Sequence, residues 1–457
     1  HKCYGEKMPD RLSGFLIRYE EDTRDTFVEE ASDEGSGSFS DALDISDWGL
    51  RPLSIALVAF SSDTIDYIAL ANRGKRVVRL KNRVDFSGLV SLDALPISNL
   101  ESRLNSRLQN YFIQATRGRG GTIPPATWAA LIEAVKAERP ALVADIDRLL
   151  ALRRYSGFQL SGPGSDILLQ EREALGISLD IFSGSNRLRE RILGEWAPPE
   201  GMVADINEDA QTATLTVSEA GRSSFLLGIP QRYIQEESAI QHDLFNWEGM
   251  TPLHESGTSL FQQGDRRLEV IYANRNDLEH TLGVDLIYYN EAFQLFVLVQ
   301  YKLMHEESGV PLYRPDANLS GELSRMDAFN AAYKTDSPLQ SHDQFRLSDD
   351  GFMLKLVPDR GLKPASGELI KGMYIPREYM HFLIGEFGPK GPRGGVQITF
   401  ANAPRYLTNS QFASNIREGW IGTRGVQSAA ISDLIRQYYE TGRAVLVAYE
   451  RRLGRGS

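Results

Sequence analysis

Apolar runs separated by polar spacers lay out the elements of this chain. Leu53 to Phe60, Tyr67 to Leu70 and Val77 to Leu80 are three short β-rich runs and predict a small sheet. Pro124 and Pro125 open a stretch in which Trp128, Leu131, Ile132, Val135, Leu142, Ile146 and Leu149 recur at helical spacing, which predicts two helices broken near Pro140. Further helices are expected over 167–179 and 186–195, ended by Ala197-Pro198-Pro199. Strand pattern returns from Thr212 to Leu227 and dominates from Leu268 to Met304, in runs at 268–272, 284–289 and 293–303. Their tight spacing predicts hairpin-like antiparallel neighbours, because a parallel crossover needs about a dozen residues or more. Leu319, Leu323, Met326, Phe329 and Tyr333 then mark one face of an amphipathic helix. The C-terminal stretch predicts a strand at 396–400, a helix at 426–439 and a last strand at 444–449.

This order implies an α/β chain of several parts. They are an N-terminal α+β domain over 1–115, a helical spacer over 116–200, a mixed-sheet core over 201–345 and a C-terminal α/β unit over 346–457. A length of 457 residues supports more than one core, at roughly 150 residues per domain. Composition changes this picture little: the apolar fraction of 42% and charged fraction of 24% are those of a globular chain, neither disordered nor membrane-embedded. With no bilayer-length apolar run and no secretory pattern, a cytoplasmic location without membrane association is expected. Cys3 is the only cysteine, which excludes an intrachain disulfide and a cysteine-based zinc cluster. A formal net charge of -11 excludes bulk electrostatic coating of nucleic acid, so any contact with a polyanion needs local basic segments.

The chemistry is concentrated in Gly283-Val284-Asp285, inside an otherwise apolar strand run, and in Gln300-Tyr301-Lys302, which closes the next one. A carboxylate and an ammonium beside apolar strand positions are costly unless they pair or hold a metal. Side chains two apart on a strand share a face, so Gln300 and Lys302 project together, and a neighbouring strand can set Asp285 opposite them. Asp285 and the Gln300 side-chain carbonyl then suit a hard cation, Mg²⁺ or Mn²⁺, while Lys302 can orient a water or neutralise a phosphorane. Glu279, in the turn entering the Asp285 strand, is the first choice for a second acid and metal ligand, with Glu237 and Glu269 as alternatives.

The Gly-x-Asp and Gln-x-Lys pair resembles the PD-(D/E)xK, restriction-endonuclease-like superfamily in its Mrr-type variant, over about residues 230–335. The resemblance implies a mixed-sheet nuclease core and a Mg²⁺-dependent phosphodiesterase, endonucleolytic, with DNA favoured over RNA and a role in defence against foreign DNA. The superfamily usually takes its additional acid from a helix upstream of the core strands; Glu279 is not so placed, and residues 235–240 could form that helix. Two readings from other classes stay open: a catalytically silent scaffold subunit, and a nucleic-acid-sensing subunit that binds without cutting.

Elsewhere, Arg117 to Gly121 and Lys390 to Gly395 are basic, glycine-rich runs suited to phosphate approach or, equally, to being solvated loops. Lys390, Arg393 and Arg314 are the candidate substrate contacts, and Asp316 is read as a helix cap. Neither glycine-rich run has Walker A spacing, so an ATPase or helicase would be a partner, and a homo-oligomer is a further option. His280, next to Glu279, is a candidate proton shuttle. Asn409, Arg417 and Arg424 surround Gly419-Trp420-Ile421-Gly422, where Trp420 is expected as a core anchor or, alternatively, as a platform for a base.

Overall fold

The computed structural model describes residues 12–31, 38–43, 53–78, 81–162, 164–199, 201–207, 214–217, 225–229, 258–263, 265–272, 282–334, 338–359, 363–364, 366–440 and 446–452. Both compact units are mixed α/β, and they comprise residues 1–157 and 158–457. The division falls between Gly157 and Phe158, not at the 115, 200 and 345 boundaries that the sequence pattern suggests.

The first unit runs β1 (Gly14–Arg18), α1 (Arg24–Ala31), β2 (Phe39–Leu43), β3 (Leu53–Ala59), β4 (Thr64–Val78), β5 (Lys81–Pro96), α2 (Ile97–Arg103), α3 (Ser106–Ala115), β6 (Gly120–Ile123), α4 (Pro125–Glu138) and α5 (Val143–Tyr155). Its sheet has the order β2-β5-β4-β3-β1-β6, with β1 and β3 parallel. The expected run at 67–70 and residues 77–78 of the run expected at 77–80 are parts of the one strand β4, residues 79–80 lying outside the described residues. α1 lays Phe27 and Ala31 on one face, in an aromatic cluster whose closest ring pair is Phe27–Phe39 at 4.8 Å. α4 and α5, separated at Pro140 as expected, bury Trp128, Leu131, Val135, Ile146 and Leu149. Trp128 lies so close to β1 that a Cβ on Gly14 would come within 2.0 Å of its ring, so only glycine fits there.

The second unit continues β7 (Gln159–Ser161), α6 (Ser165–Ser183), α7 (Arg187–Gly194), β8 (Val203–Asn207), β9 (Thr214–Val217), β10 (Thr258–Gln263), β11 (Arg266–Tyr272), β12 (Leu286–Asn290), β13 (Leu295–Glu307), β14 (Val310–Tyr313), α8 (Ala317–Ala332), β15 (Phe352–Pro358), β16 (Met373–Pro376), α9 (Arg377–Ile384), β17 (Ile398–Thr399), α10 (Asn409–Arg417), α11 (Gly425–Glu440) and β18 (Leu446–Arg452). Its main mixed sheet has the order β10-β11-β18-β12-β13, and β13 pairs on with β15 and then β16. β14 and β17 extend the far end of β13. One face is covered by α8, α9 and α11, which bury Leu319, Leu323, Met326, Met380, Leu383, Ile431 and Ile435 against Ile287, Leu298, Leu354 and Ile375. Contacts from the opposite face go to α6 and α10: Lys355 of β15 meets Glu173, and the ring of Tyr374 on β16 stacks on Phe412 at 3.9 Å.

Three expectations change here. Residues 116–200 are not a spacer, since α4 and α5 belong to the first unit and α6 and α7 to the second, each with its apolar side buried. Of the three runs expected as hairpin neighbours, only β12 and β13 pair with each other; β18, from the C-terminal end, lies between β11 and β12, antiparallel to one and parallel to the other. Residues 346–457 are therefore not a separate unit, because β15, β16 and β18 are strands of the core sheet. Among the described residues no helix is long and apolar enough to cross a membrane.

A chain ending at residue 345 lacks β15, β16 and β18 and leaves the edges of β11, β12 and β13 without their partners. It is expected to give no cooperative thermal transition for the second unit by calorimetry; a native-like transition would mean that residues 201–345 form a core of their own.

Candidate functional site

The site starts where β12 begins. Gly283 has φ +68°, a left-handed value that turns the chain into the strand, and a Cβ there would sit 3.3 Å from Glu322 and from the Arg325 Nε. Asp285, the residue before β12, donates its N–H to the Val299 carbonyl at 2.8 Å, so it lies against β13 beside Gln300. Its Oδ2 accepts the Tyr301 N–H at 2.8 Å. Gln300 is 4% exposed; its amide nitrogen donates to the Tyr301 carbonyl at 3.3 Å, and its buried Oε1 has no hydrogen-bond partner.

Lys302, two residues on and on the same face as Gln300, holds its Nζ 2.8 Å from Oε1 and 2.6 Å from Oε2 of Glu322. Glu322 is in the second turn of α8, whose start is held by Asp316, the Oδ1 of which accepts the Leu319 N–H at 2.8 Å as a cap should. Burial pushes the Glu322 carboxyl up from its ordinary value, against the opposing pull of Lys302 and Arg325. Sequence reasoning missed this acid. A signal existed: Glu322 is spaced three from Leu319 and four from Met326, inside the apolar stripe of α8, where a solvated carboxylate has no reason to be.

The remaining candidates are distributed differently. Glu279, Glu237 and His280, with the 235–240 segment, lie outside the described residues, as does the side chain of Glu269. Among the described residues no three His, Cys, Asp or Glu side chains form a metal-holding group. Arg314 is paired with Glu307 at the end of β13, with a second contact to Gln397 Oε1 at 3.4 Å. That pairing, then the charge of nearby Arg393, holds the exposed Glu307 carboxyl below its ordinary range. Lys390 donates to the Gly385 carbonyl at 3.2 Å in the exposed loop that also carries Arg393. The Arg117 to Gly121 loop belongs to the first unit.

Trp420 is not a core anchor: it is 44% exposed and meets Phe345 edge-on at 6.3 Å, while Gly419, at φ +71°, packs on the Phe293 ring. Asn409 opens α10 and donates to the Ile370 carbonyl at 3.2 Å. Comparison with protein-family models, with curated proteins and with solved structures returned no match.

What converges at the start of β12 is a carboxylate, an amide oxygen without a donor and an ammonium clamped by a second, half-buried carboxylate. A carboxyl raised in the fold binds its proton more tightly folded than unfolded, so stability falls as pH rises from the ordinary glutamate value to the raised one. Glu322→Gln removes that dependence. Melting temperatures measured across this window should fall less, or rise more, with pH in the variant than in the wild type; parallel curves would show that Glu322 is not held up by burial.

Proposed function

We propose that the second unit contains a restriction-endonuclease-like core and that the protein is a metal-dependent phosphodiesterase acting on DNA in preference to RNA. The observation that supports this most is Asp285, hydrogen-bonded to the β13 backbone at Val299 and Tyr301 on either side of Gln300, whose buried Oε1 lacks a donor, with Lys302 on the same face as Gln300. An unmet buried acceptor costs about 1–3 kcal/mol, a cost that a cation bound between it and a carboxylate would offset.

Asp285 and Gln300 would hold Mg²⁺ or Mn²⁺, with Glu279 as the expected third ligand. Such an ion lowers the pKa of a bound water and stabilises charge on the phosphoryl oxygens. The chain's own residues do the rest. The Tyr301 N–H fixes the Asp285 carboxylate, Glu322 holds the Lys302 ammonium ready beside them, and Lys302 meets the negative charge that develops on phosphate. Endonucleolytic action, in defence against foreign DNA, belongs to this proposal through the family resemblance alone. The substrate contacts proposed for Lys390 and Arg393 stay with it, whereas Arg314 would have to give up Glu307 first.

One observation favours a second reading. Lys302 already has a carboxylate partner in Glu322, as in a silent scaffold whose ion pair is structural. Cleavage of supercoiled plasmid and of labelled single-stranded DNA and RNA, with Mg²⁺, Mn²⁺ or EDTA, separates the two readings. Metal-dependent cutting is expected, abolished by EDTA and reduced about 10²–10³-fold in Asp285→Ala and in Lys302→Ala. A wild type that binds no cation and cuts nothing, alone or with a partner ATPase, leaves the scaffold; metal-independent binding without cutting leaves the sensor.

A further inference from the structure

Behind the Gln300-Tyr301-Lys302 strand lies a group of buried charges that the proposed chemistry does not use. The register of β13, β15 and β16 sets Tyr301 beside Lys355 and Lys355 beside Tyr374, on the face opposite Gln300 and Lys302. Lys355 is fully buried; its Nζ donates to Glu173 Oε2 at 2.7 Å and stands 5.6 Å and 5.0 Å from the ring centres of Tyr301 and Tyr374. Glu173, on α6 and equally buried, accepts the Ile370 N–H at 3.1 Å and pairs with Arg172 at 2.9 Å. Arg172 in turn donates to the carbonyls of Ser366 and Glu368.

A buried ion pair is a poor source of stability, because apolar residues of similar volume commonly serve as well or better. Its presence calls for another reason, and the backbone of Tyr301 supplies one. The N–H of Tyr301 holds Asp285 Oδ2 at 2.8 Å, and its carbonyl accepts the Gln300 amide at 3.3 Å. A single residue thus has its ring in the buried charge group and both peptide groups on the site.

We infer that Glu173 and Lys355 are positioning residues: by fixing the ring of Tyr301 they fix the peptide groups that orient Asp285 and Gln300. The inference rests on the nuclease reading above. It differs from a stabilising role in what happens when both charges are replaced together by apolar groups.

The test compares wild type with the double variant Glu173→Leu/Lys355→Met, by melting temperature, by Mn²⁺ affinity in titration calorimetry, and by kcat and KM on DNA. The double variant is expected to melt within a few degrees of wild type, to bind Mn²⁺ about 10-fold or more weakly, and to lose kcat with KM unchanged. A folded double variant with wild-type Mn²⁺ affinity and kcat overturns the inference and leaves the nuclease reading standing. Should it fail to fold, Glu173→Gln, which can still accept from Ile370, is measured in the same way, and wild-type values there overturn the inference too. A wild type that neither binds Mn²⁺ nor cleaves overturns the nuclease reading itself, and the inference with it.

Discussion

The second unit is organised by the need to satisfy one buried strand. From Leu295 to Tyr301 every residue of β13 is buried, so its peptide groups must be paired along both edges and its two faces must both be covered. β12 pairs with one edge and β15 with the other, α8 and its neighbours cover one face, and α6 with α10 meets the other. Meeting this demand draws in elements from residue 165 to residue 452, far beyond the stretch around the motif. β18 shows the same logic one strand further out, where it supplies the pairing that β11 and β12 do not give each other.

The period of two along β13 then separates two kinds of polar environment. Gln300 and Lys302 point toward α8, at the end of the apolar layer, where Asp285 enters and Glu322 reaches back. Tyr301 points the other way, into a charge group closed by Glu173, Lys355 and Arg172. On that side the charged groups are paired with one another: burial draws the Lys355 ammonium down from its ordinary value, and Glu173 works against that loss. On the site side an acceptor without a donor remains at Gln300, and a carboxylate raised by burial sits on the lysine. The two faces of the strand thus differ in kind: one holds a closed group of paired charges, the other an amide acceptor beside a lysine–carboxylate pair.

What could be read without the structure follows from how local each contact is. Helix spacing from Trp128 to Leu149, the break at Pro140, the Asp316 cap and the β12–β13 pairing all depend on residues within a few turns or one hairpin of each other. The juxtaposition of Asp285 with Gln300, and of Gln300 with Lys302, is of that kind, since a short hairpin and the strand period suffice to produce it. The exposure of Trp420 was not legible, because two flanking glycines fit a packed ring and a displayed one alike until Gly419 is seen to occupy the space against Phe293.

By itself, then, the sequence determined the mixed α/β character, most of the element positions and the strand face on which the candidate chemistry stands, because hydrophobic period and turn residues act over short separations. Only the tertiary structure decided which acid meets Lys302, which charges stand behind Tyr301, and that the C-terminal strands belong to the same sheet. Those outcomes join residues 20 apart for Glu322 and Lys302, 182 apart for Glu173 and Lys355, and 162 apart for Tyr288 and Glu450. No local preference specifies such pairs; they follow from the requirement that every buried strand edge and every buried charge find a partner somewhere in the chain.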